Sequence, residues 1–268
     1  MFNISELLKE FRLKGYTIIR NAFSSEQVAY ARERIIEFSN SPQRIIDPSK
    51  IPRLNKNSEI LYNVHSRDIS LFQLFTRQNV LRGLLIELLN DKYYKQIDQQ
   101  KPNYILRSML ARNGGKEQLT PHIDSFLPSS GKETWICLAS LMLDDHTKEN
   151  GGTIFAPKSH RSDQYAPPYG LENGITVEGK SGDMVLWDGR IWHGTNANKI
   201  GSSRWAIIAS FTRWWLKQGF AYTDTIRKED YKLLSEEEKS IFGFCSKVPT
   251  DEFERIDMKR GYEDLPSR

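Results

Sequence analysis

The chain has 268 residues, enough to bury a sizeable core as one domain, and its 38 basic and 34 acidic residues give a formal net charge of +4 at pH 7. This mild excess forms no concentrated basic stripe, so we expect no nucleic-acid partner. Two cysteines provide no disulfide framework, and neither a secretory leader nor an apolar run of membrane-spanning length is evident, so we expect a cytoplasmic location without membrane contact.

The first ninety residues predict helices around one short strand. Ser5 is expected to cap a helix that ends near Gly15, and Ser24 with Gln27 forms a capping box ahead of a second helix. A helical period of apolar residues then indicates two further helices. The predicted segments are, in order, a helix from 5 to about 15, a strand over 16–19, a helix from 24 to about 38, a loop over 45–56 that is a candidate lid, and two helices between 70 and 89.

Six later segments predict strands, because they are apolar and are separated by Gly, Pro and Asp turns. They lie at about 103–112, 134–143, 153–156, 175–177, 184–187 and 204–214. The sequence therefore predicts a mostly β protein with an N-terminal helical layer.

The last segment differs in character, because it is highly charged and its run Ser235–Glu238 forms a capping box for a short helix. We expect one domain over 1–216 and a charged helical appendage over 217–268 that packs on it. A charge run of this kind is usually a solvated face. The alternative is that aromatic residues of the tail fold back over the mouth of a cavity or contact a second subunit in a homodimer.

A metal site is indicated by His122 and Asp124, which stand two residues apart, and by His193 further along the chain. In an extended strand, residues i and i+2 project from the same face, so His122 and Asp124 can converge on one ion. His193 follows the apolar stretch 183–187, from which a later strand could return to the same sheet. Two imidazoles and one carboxylate leave three positions open on the metal, as iron(II) oxygenases require. A lone His-x-Asp pair is weak evidence.

Arg204 strengthens this interpretation through its charge. Iron(II) carries +2, Asp124 −1, a 2-oxoglutarate dianion −2 and one guanidinium +1, so the loaded site sums to zero, as a desolvated cavity favours. Arginine also matches a carboxylate in bidentate geometry. Strand alternation predicts that Arg204 shares a face of modest side chains, whereas bulkier ones point away. The first face carries Ala206, Ile208 and Ser210, and the second carries Trp205, Ile207 and Phe211.

At these residues and at the turns around them, the chain resembles the phytanoyl-CoA dioxygenase family of iron(II)- and 2-oxoglutarate-dependent oxygenases. Order and spacing agree over roughly residues 9 to 215. Besides His122-x-Asp124 and Arg204, the matching segments are Gly15–Ile19, Glu149–Thr153, Pro157–His160, Gly179-x-x-Gly182-Asp183 and Trp192–Asn196.

The resemblance implies a double-stranded β-helix, a cupin-like jelly roll, with a buttress of N-terminal helices. It implies that His122, Asp124 and His193 are the catalytic metal ligands and that Arg204 binds the distal carboxylate of 2-oxoglutarate, with Thr195 as a hydroxyl donor to the same carboxylate. Iron(II), 2-oxoglutarate and dioxygen are the implied cofactor and cosubstrates. The implied reaction is hydroxylation of an unactivated C–H bond of a small-molecule metabolite, with release of succinate and carbon dioxide. The presence of Asp124 argues against halogenation.

Three further residues are candidates for substrate contact. Arg107 and Arg112 lie on the strand that leads toward His122, and one of them could face the cavity and hold an anionic substrate. Trp192, next to a ligand, could wall the site. The remaining histidines, His65, His146 and His160, are expected to be surface or hydrogen-bonding residues.

Two alternative functions stay open. A cupin-like metalloenzyme that does not use 2-oxoglutarate would make Arg204 an incidental strand charge. A non-catalytic jelly-roll binding protein would have kept the ligands as a structural or sensing site. The sequence identifies no substrate, and it leaves hydroxylation, epoxidation, desaturation and cyclisation as possible outcomes.

Overall fold

The computed structural model describes residues 3–40, 60–94 and 97–248, so the candidate lid over 45–56 lies outside the described residues. The first helix, α1 (Ile4–Lys14), starts one residue before Ser5, because Asn3 is its cap. The Asn3 Oδ1 atom accepts hydrogen bonds from the backbone N–H groups of Ser5, at 3.1 Å, and Glu6, at 3.4 Å. Gly15 ends the helix with φ +91°, a conformation that glycine adopts without strain.

The other N-terminal helices agree with the sequence prediction. The capping box at Ser24 and Gln27 is present at the start of α2 (Ser25–Ser39). The apolar stretch that follows is divided into α3 (Ile69–Thr76) and α4 (Asn79–Leu89). In the part of the chain that the structure describes, no helix has the length and apolar character needed to cross a bilayer.

Among the described residues, ten strands form two antiparallel sheets, and their order makes the fold a double-stranded β-helix. The major sheet has the order β1-β8-β5-β10-β3-β2, and the minor sheet has the order β4-β9-β6-β7. The strands are β1 (Tyr16–Ile19), β2 (Ile60–Tyr62), β3 (Tyr104–Arg112), β4 (Leu119–His122), β5 (Ile136–Met142), β6 (Thr153–Phe155), β7 (Ile175–Val177), β8 (Met184–Asp188), β9 (His193–Thr195) and β10 (Ala206–Arg213).

The major sheet is covered on both faces, which explains why every residue of β5 is buried. On the outer face, α4 packs against β3, β5 and β10, and α1 packs against β8. Alternate residues of β5 point toward the helices, among them Cys137 and Ala139, whereas Ile136 and Leu138 join a second apolar cluster with Phe155 of the minor sheet. This second cluster therefore lies between the two sheets.

The C-terminal segment departs from the expectation of a solvated face. Its described part contains α5 (Tyr222–Thr225), α6 (Lys228–Leu233) and α7 (Glu236–Phe242), and the capping box at Ser235 is present. Four apolar side chains of the segment are buried in the main core: Tyr222, Leu234, Ile241 and Phe242. A charged residue of the segment also binds the rest of the domain, since the Glu238 carboxylate forms an ion pair with Arg77 at 2.8 Å. The C-terminal segment thus has a buried apolar face. The domain boundary at residue 216 stays a prediction.

Candidate metal centre

The minor sheet brings the two histidines of the proposed triad side by side. His122 ends β4 and His193 begins β9, and the antiparallel pairing sets the two residues directly opposite each other. Asp124 does not lie on the strand, contrary to the sequence prediction, because the chain bends immediately after His122. The backbone N–H groups of Asp124 and Ser125 both donate to the Gly189 carbonyl, at 2.7 and 2.9 Å, and fix this bend.

The three side chains converge on a common point. The Nε2 atom of His193 lies 3.2 Å from Asp124 Oδ2, and the Nε2 atom of His122 lies 3.7 Å from Asp124 Oδ1. One ligand atom from each residue lies within 4.8 Å of the other two. Ligands about 2.1 Å from one ion and at right angles to each other are about 3 Å apart, so the spacing fits a single cation. The donor set, two imidazoles and a carboxylate, fits iron(II).

Neighbouring groups orient each ligand. The Nδ1 atom of His122 lies 3.0 Å from the Thr120 carbonyl, and that of His193 lies 3.1 Å from the Ile191 carbonyl. Because a carbonyl only accepts hydrogen bonds, each Nδ1 carries the proton and each Nε2 lone pair is left for a metal. The Trp187 indole N–H donates to Asp124 Oδ2 at 3.1 Å and holds the carboxylate.

The charges of the triad depend on one another. Burial alone would raise the pKa of Asp124, but the two imidazoles and the Trp187 N–H outweigh it and lower that pKa well below its usual value. Burial, with the neighbouring His193, lowers the pKa of His122 to about 4. For His193 burial acts in the same direction, yet the charge of Asp124 and its hydrogen bond raise the pKa above 6.5. In the free protein the charged Asp124 carboxylate is therefore paired with a protonated His193, and a metal would replace the proton on Nε2 of His193.

A cavity of about 670 Å³ opens between the two sheets beside the triad. Arg204, Ala206 and Ile208 line it, whereas Trp205 and Ile207 point into the main core, as strand alternation predicts. The strand itself starts at Ala206, two residues later than expected, and Ser210 lies outside the lining. The remaining lining residues are Ile60, Tyr62, Leu110, Arg112, Leu119, Thr120, Pro121, His122, Asp124, Leu138, Ser140, Thr153, Trp187, His193 and Thr195.

Arg204 is a buried cation that no acidic residue of the described chain pairs with. The residue is 4% exposed, its backbone N–H donates to Asn113 Oδ1 at 2.9 Å, and its Nε is buried with no hydrogen-bond partner in the described ranges. The guanidinium has no ion pair among the described residues, and the nearby Asp144 is paired with Arg32 at 2.7 Å. Burial, together with the neighbouring charge of Arg112, lowers the pKa of Arg204 to about 9. A carboxylate in the cavity would relieve this cost.

Two glycines leave room for the Arg204 side chain. A Cβ atom on Gly114 would lie 3.0 Å from Arg204 Nε and 2.9 Å from the Asn150 carbonyl oxygen. A Cβ on Gly151, which has φ +95°, would lie 3.5 Å from the same Nε. Thr195 also lines the cavity, and its Oγ1 accepts a hydrogen bond from the Leu119 N–H at 3.3 Å, which leaves the hydroxyl proton for a ligand.

Of the three candidate residues for substrate contact, the structure places one in the cavity lining. Arg112 lines the cavity, but Arg107 does not, because its guanidinium stacks over the Phe126 ring at 4.7 Å. Trp192 is also outside the lining and does not wall the site. Its indole N–H donates to the Gln164 carbonyl at 2.9 Å.

The remaining histidines are not surface residues, contrary to one of the two expectations. His65, His146 and His160 are all buried, and none of them belongs to the triad. His146 and His160 face backbone carbonyls, of Trp205 at 3.5 Å and Arg12 at 3.3 Å. Neither ring nitrogen of His65 has a hydrogen-bond partner in the part of the chain that the structure describes, and burial lowers the pKa of His65 to about 4.

Sequence reasoning missed the residues that support the ligands. Trp187 was not among the candidate residues, yet its indole N–H binds Asp124, and Asn113 and Gly114 position Arg204. Strand alternation was the available signal for Trp187, since it shares a face of β8 with Val185 toward the space between the sheets. No local pattern marks Asn113 or Gly114, whose roles depend on contacts with Arg204, about ninety residues away.

Comparison with known proteins identifies the family. The phytanoyl-CoA dioxygenase family matches residues 11–206, more than half of the chain, and the chain belongs to this family. An uncharacterized protein of Mycobacterium tuberculosis is 28% identical over 123 residues, which are 45% of this chain and 45% of that protein. The chain thus aligns with less than half the length of this curated relative.

Solved structures share the fold. The 2-oxoglutarate-dependent epimerase SnoN from nogalamycin biosynthesis superimposes with a TM-score of 0.60 at 18% identity, over 84% of this chain and 90% of SnoN. EctD from S. alaskensis, whose structure contains 2-oxoglutarate and 5-hydroxyectoine, gives a TM-score of 0.61 at 17% identity, over 83% of this chain and 81% of EctD. The family match over residues 11–206 and the shared fold agree with the His-Asp-His set described above, which could hold a metal ion.

Proposed function

We propose that the protein is an iron(II)- and 2-oxoglutarate-dependent dioxygenase that hydroxylates an unactivated C–H bond of a small-molecule metabolite. Substrate, dioxygen and 2-oxoglutarate would give hydroxylated product, succinate and carbon dioxide, with one oxygen atom in the product and the other in succinate. The observation that carries this proposal is the buried guanidinium of Arg204, which has no ion pair among the described residues and lines the same cavity as the His122, Asp124 and His193 triad.

Each residue has a defined task in this proposal. His122, Asp124 and His193 would hold iron(II), which when bound supplies the redox chemistry that couples dioxygen to 2-oxoglutarate. Arg204 would bind the distal carboxylate of 2-oxoglutarate in bidentate geometry, and the Thr195 hydroxyl would donate to the same group. Trp187 would keep the Asp124 carboxylate oriented during turnover, because its N–H already holds one of the two oxygens.

The alternative without 2-oxoglutarate explains the cavity less well. An incidental strand charge would extend into solvent or pair with a neighbouring acid. Arg204 does neither among the described residues, and burying an unpaired charge is costly unless a ligand repays it. A non-catalytic binding protein would show the same cavity, so turnover must separate it from an enzyme.

The test combines binding and turnover. Anaerobic protein with iron(II) and 2-oxoglutarate should show a weak visible charge-transfer band, and oxygen should then yield succinate when a metabolite library contains the substrate. A band without succinate for any metabolite would favour the non-catalytic alternative. The absence of the band, with iron bound, would favour a metalloenzyme that does not use 2-oxoglutarate.

Isotope labelling tests the outcome of the reaction. SnoN is named an epimerase and the EctD structure contains a hydroxylated compound, so the shared fold supports more than one outcome. With 18-oxygen gas, hydroxylation places one labelled atom in the product, whereas desaturation, cyclisation or epimerisation places none there. The cytoplasmic location and a homodimer through residues 217–268 stay predictions.

A further inference from the structure

The cavity contains a second cation, at the end of β3. Arg112 lies opposite Ala206 of β10 and Ile60 of β2 in the sheet register, and its side chain lines the cavity. Its Nε is buried without a hydrogen-bond partner, and the guanidinium has no ion pair among the described residues. Arg112 also lowers the pKa of Arg204, so the two positive charges repel each other across the cavity.

The charges of the cavity-lining residues and of the proposed iron(II) and 2-oxoglutarate do not sum to zero. Asp124 is the one carboxylate among the described lining residues, and Arg112 and Arg204 are the two cations. Iron(II), Asp124, 2-oxoglutarate and Arg204 sum to zero, so Arg112 leaves the loaded cavity with one uncompensated positive charge. An uncompensated charge in a desolvated space is unfavourable, and a substrate with one negative charge removes it.

A second donor stands beside this cation. Tyr62 of β2 lines the same cavity, its hydroxyl has no hydrogen-bond partner among the described residues, and it interacts electrostatically with Arg112. A planar guanidinium and a phenol that lie together can both donate to one carboxylate. The cavity lining also carries the apolar side chains Ile60, Leu110, Leu138 and Ile208, together with the hydroxyls of Ser140 and Thr153.

We propose that Arg112, with Tyr62, binds the carboxylate of the substrate, and that the substrate is a small carboxylic acid with an apolar body. This inference rests on the proposed function, because it assigns Arg204 to 2-oxoglutarate and leaves Arg112 for the molecule that is oxidised. The cavity of about 670 Å³ is within the range of roughly 300–1,000 Å³ typical of small-molecule sites. The carboxylate anchor would place the apolar part, whose C–H bonds are unactivated, toward the triad.

The experiment uses a matched pair of probes, sodium hexanoate and hexanamide, which differ in charge and have nearly the same size. Each is titrated into anaerobic protein loaded with iron(II) and 2-oxoglutarate, and the charge-transfer band and the melting temperature are followed. We expect hexanoate to bind at least tenfold more tightly than hexanamide. In Arg112→Gln this preference should be lost, and Arg112→Lys should retain part of it.

Two controls separate substrate binding from other roles of Arg112. Arg107→Gln removes a guanidinium from the same strand but outside the cavity lining, so its preference for hexanoate should match the wild type. The affinity of Arg112→Gln for 2-oxoglutarate should change less than tenfold. Circular dichroism checks that each variant is folded.

The possible failures are distinguishable. Equal responses to hexanoate and hexanamide in the wild type, with an intact band, would overturn this inference alone. A loss of 2-oxoglutarate binding in Arg112→Gln as large as that in an Arg204 variant would place Arg112 in the cosubstrate site and overturn it as well. A wild type that shows no band would overturn the proposed function, and this inference with it.

Discussion

Replacing Arg204 by methionine should have opposite effects on ligand binding and on stability. Methionine keeps most of the length and apolar stem of arginine but removes the guanidinium. Because the guanidinium is the proposed partner of the distal carboxylate, its loss should weaken 2-oxoglutarate binding. Because the same group is buried and has no ion pair among the described residues, its loss should also raise the free energy of unfolding of the free protein.

The structure sets the size of both effects. Removing one partner of a buried, hydrogen-bonded charge pair costs about 2–5 kcal/mol, so the Kd for 2-oxoglutarate should rise at least about 30-fold. Burial, together with the neighbouring charge of Arg112, lowers the pKa of Arg204 from 12.5 to about 9. Since one pKa unit corresponds to about 1.4 kcal/mol, the buried charge costs the free protein a few kcal/mol. A gain of about 1–3 kcal/mol in Arg204→Met allows for the imperfect fit of the new side chain.

Two measurements check this prediction. Anaerobic titration of the charge-transfer band gives the Kd for 2-oxoglutarate, and urea unfolding of metal-free protein gives the stability. Arg107→Met is the matched control, because it removes a guanidinium that is outside the cavity lining. A variant that binds 2-oxoglutarate like the wild type, or that is less stable than the wild type when free, would refute the reasoning.

Four further predictions concern the residues around the triad. Asp124→Ala should weaken iron binding and abolish succinate formation, and unchanged turnover would remove Asp124 from the coordination sphere. Trp187→Phe removes the N–H that holds Asp124, so the Kd for iron(II), measured by competition with a chelator, should rise about 10- to 100-fold; an unchanged Kd would argue against this support. Gly114→Ala should weaken 2-oxoglutarate binding at unchanged iron affinity, because the new Cβ would lie 3.0 Å from Arg204 Nε; equal binding would show that the side chain adjusts. Iron affinity should fall about tenfold per pH unit below the pKa of His193, because the proton must leave before the metal binds. The pKa of His193 is raised above 6.5, so the fall should begin at or above this pH. A flat affinity profile down to pH 5 would contradict this prediction.

The sequence predicted the elements that local patterns specify. The capping boxes at Ser24 and Ser235 were identified correctly, because a cap is formed by residues three positions apart. The face that Arg204 shares with Ala206 and Ile208 was also predicted correctly, since alternation follows from extended backbone geometry. The solvated face expected of the charged tail is incomplete in its described part, because its few apolar residues become visible as core only when Tyr222 and Phe242 meet the helices of the main cluster.

The sequence predicted which residues form the site better than it predicted how these residues are arranged. Asp124 was expected to share a strand with His122, but the bend at Asp124 depends on the distant Gly189 carbonyl, which no local pattern reveals. Trp187 as a support for the carboxylate was missed for the same reason. Long-range contacts therefore decide how the ligands are held, whereas residue type and spacing decide which ligands are available.

The central claim is that His122, Asp124, His193 and Arg204 form one site for iron and 2-oxoglutarate. A crystal structure of the anaerobic protein with both bound, with anomalous diffraction at the iron edge, tests this claim most directly. We expect an iron peak bonded to Nε2 of both histidines and to the Asp124 carboxylate, with the distal carboxylate of 2-oxoglutarate on the Arg204 guanidinium. Iron bound elsewhere, or a distal carboxylate that leaves Arg204 unpaired, would contradict the account.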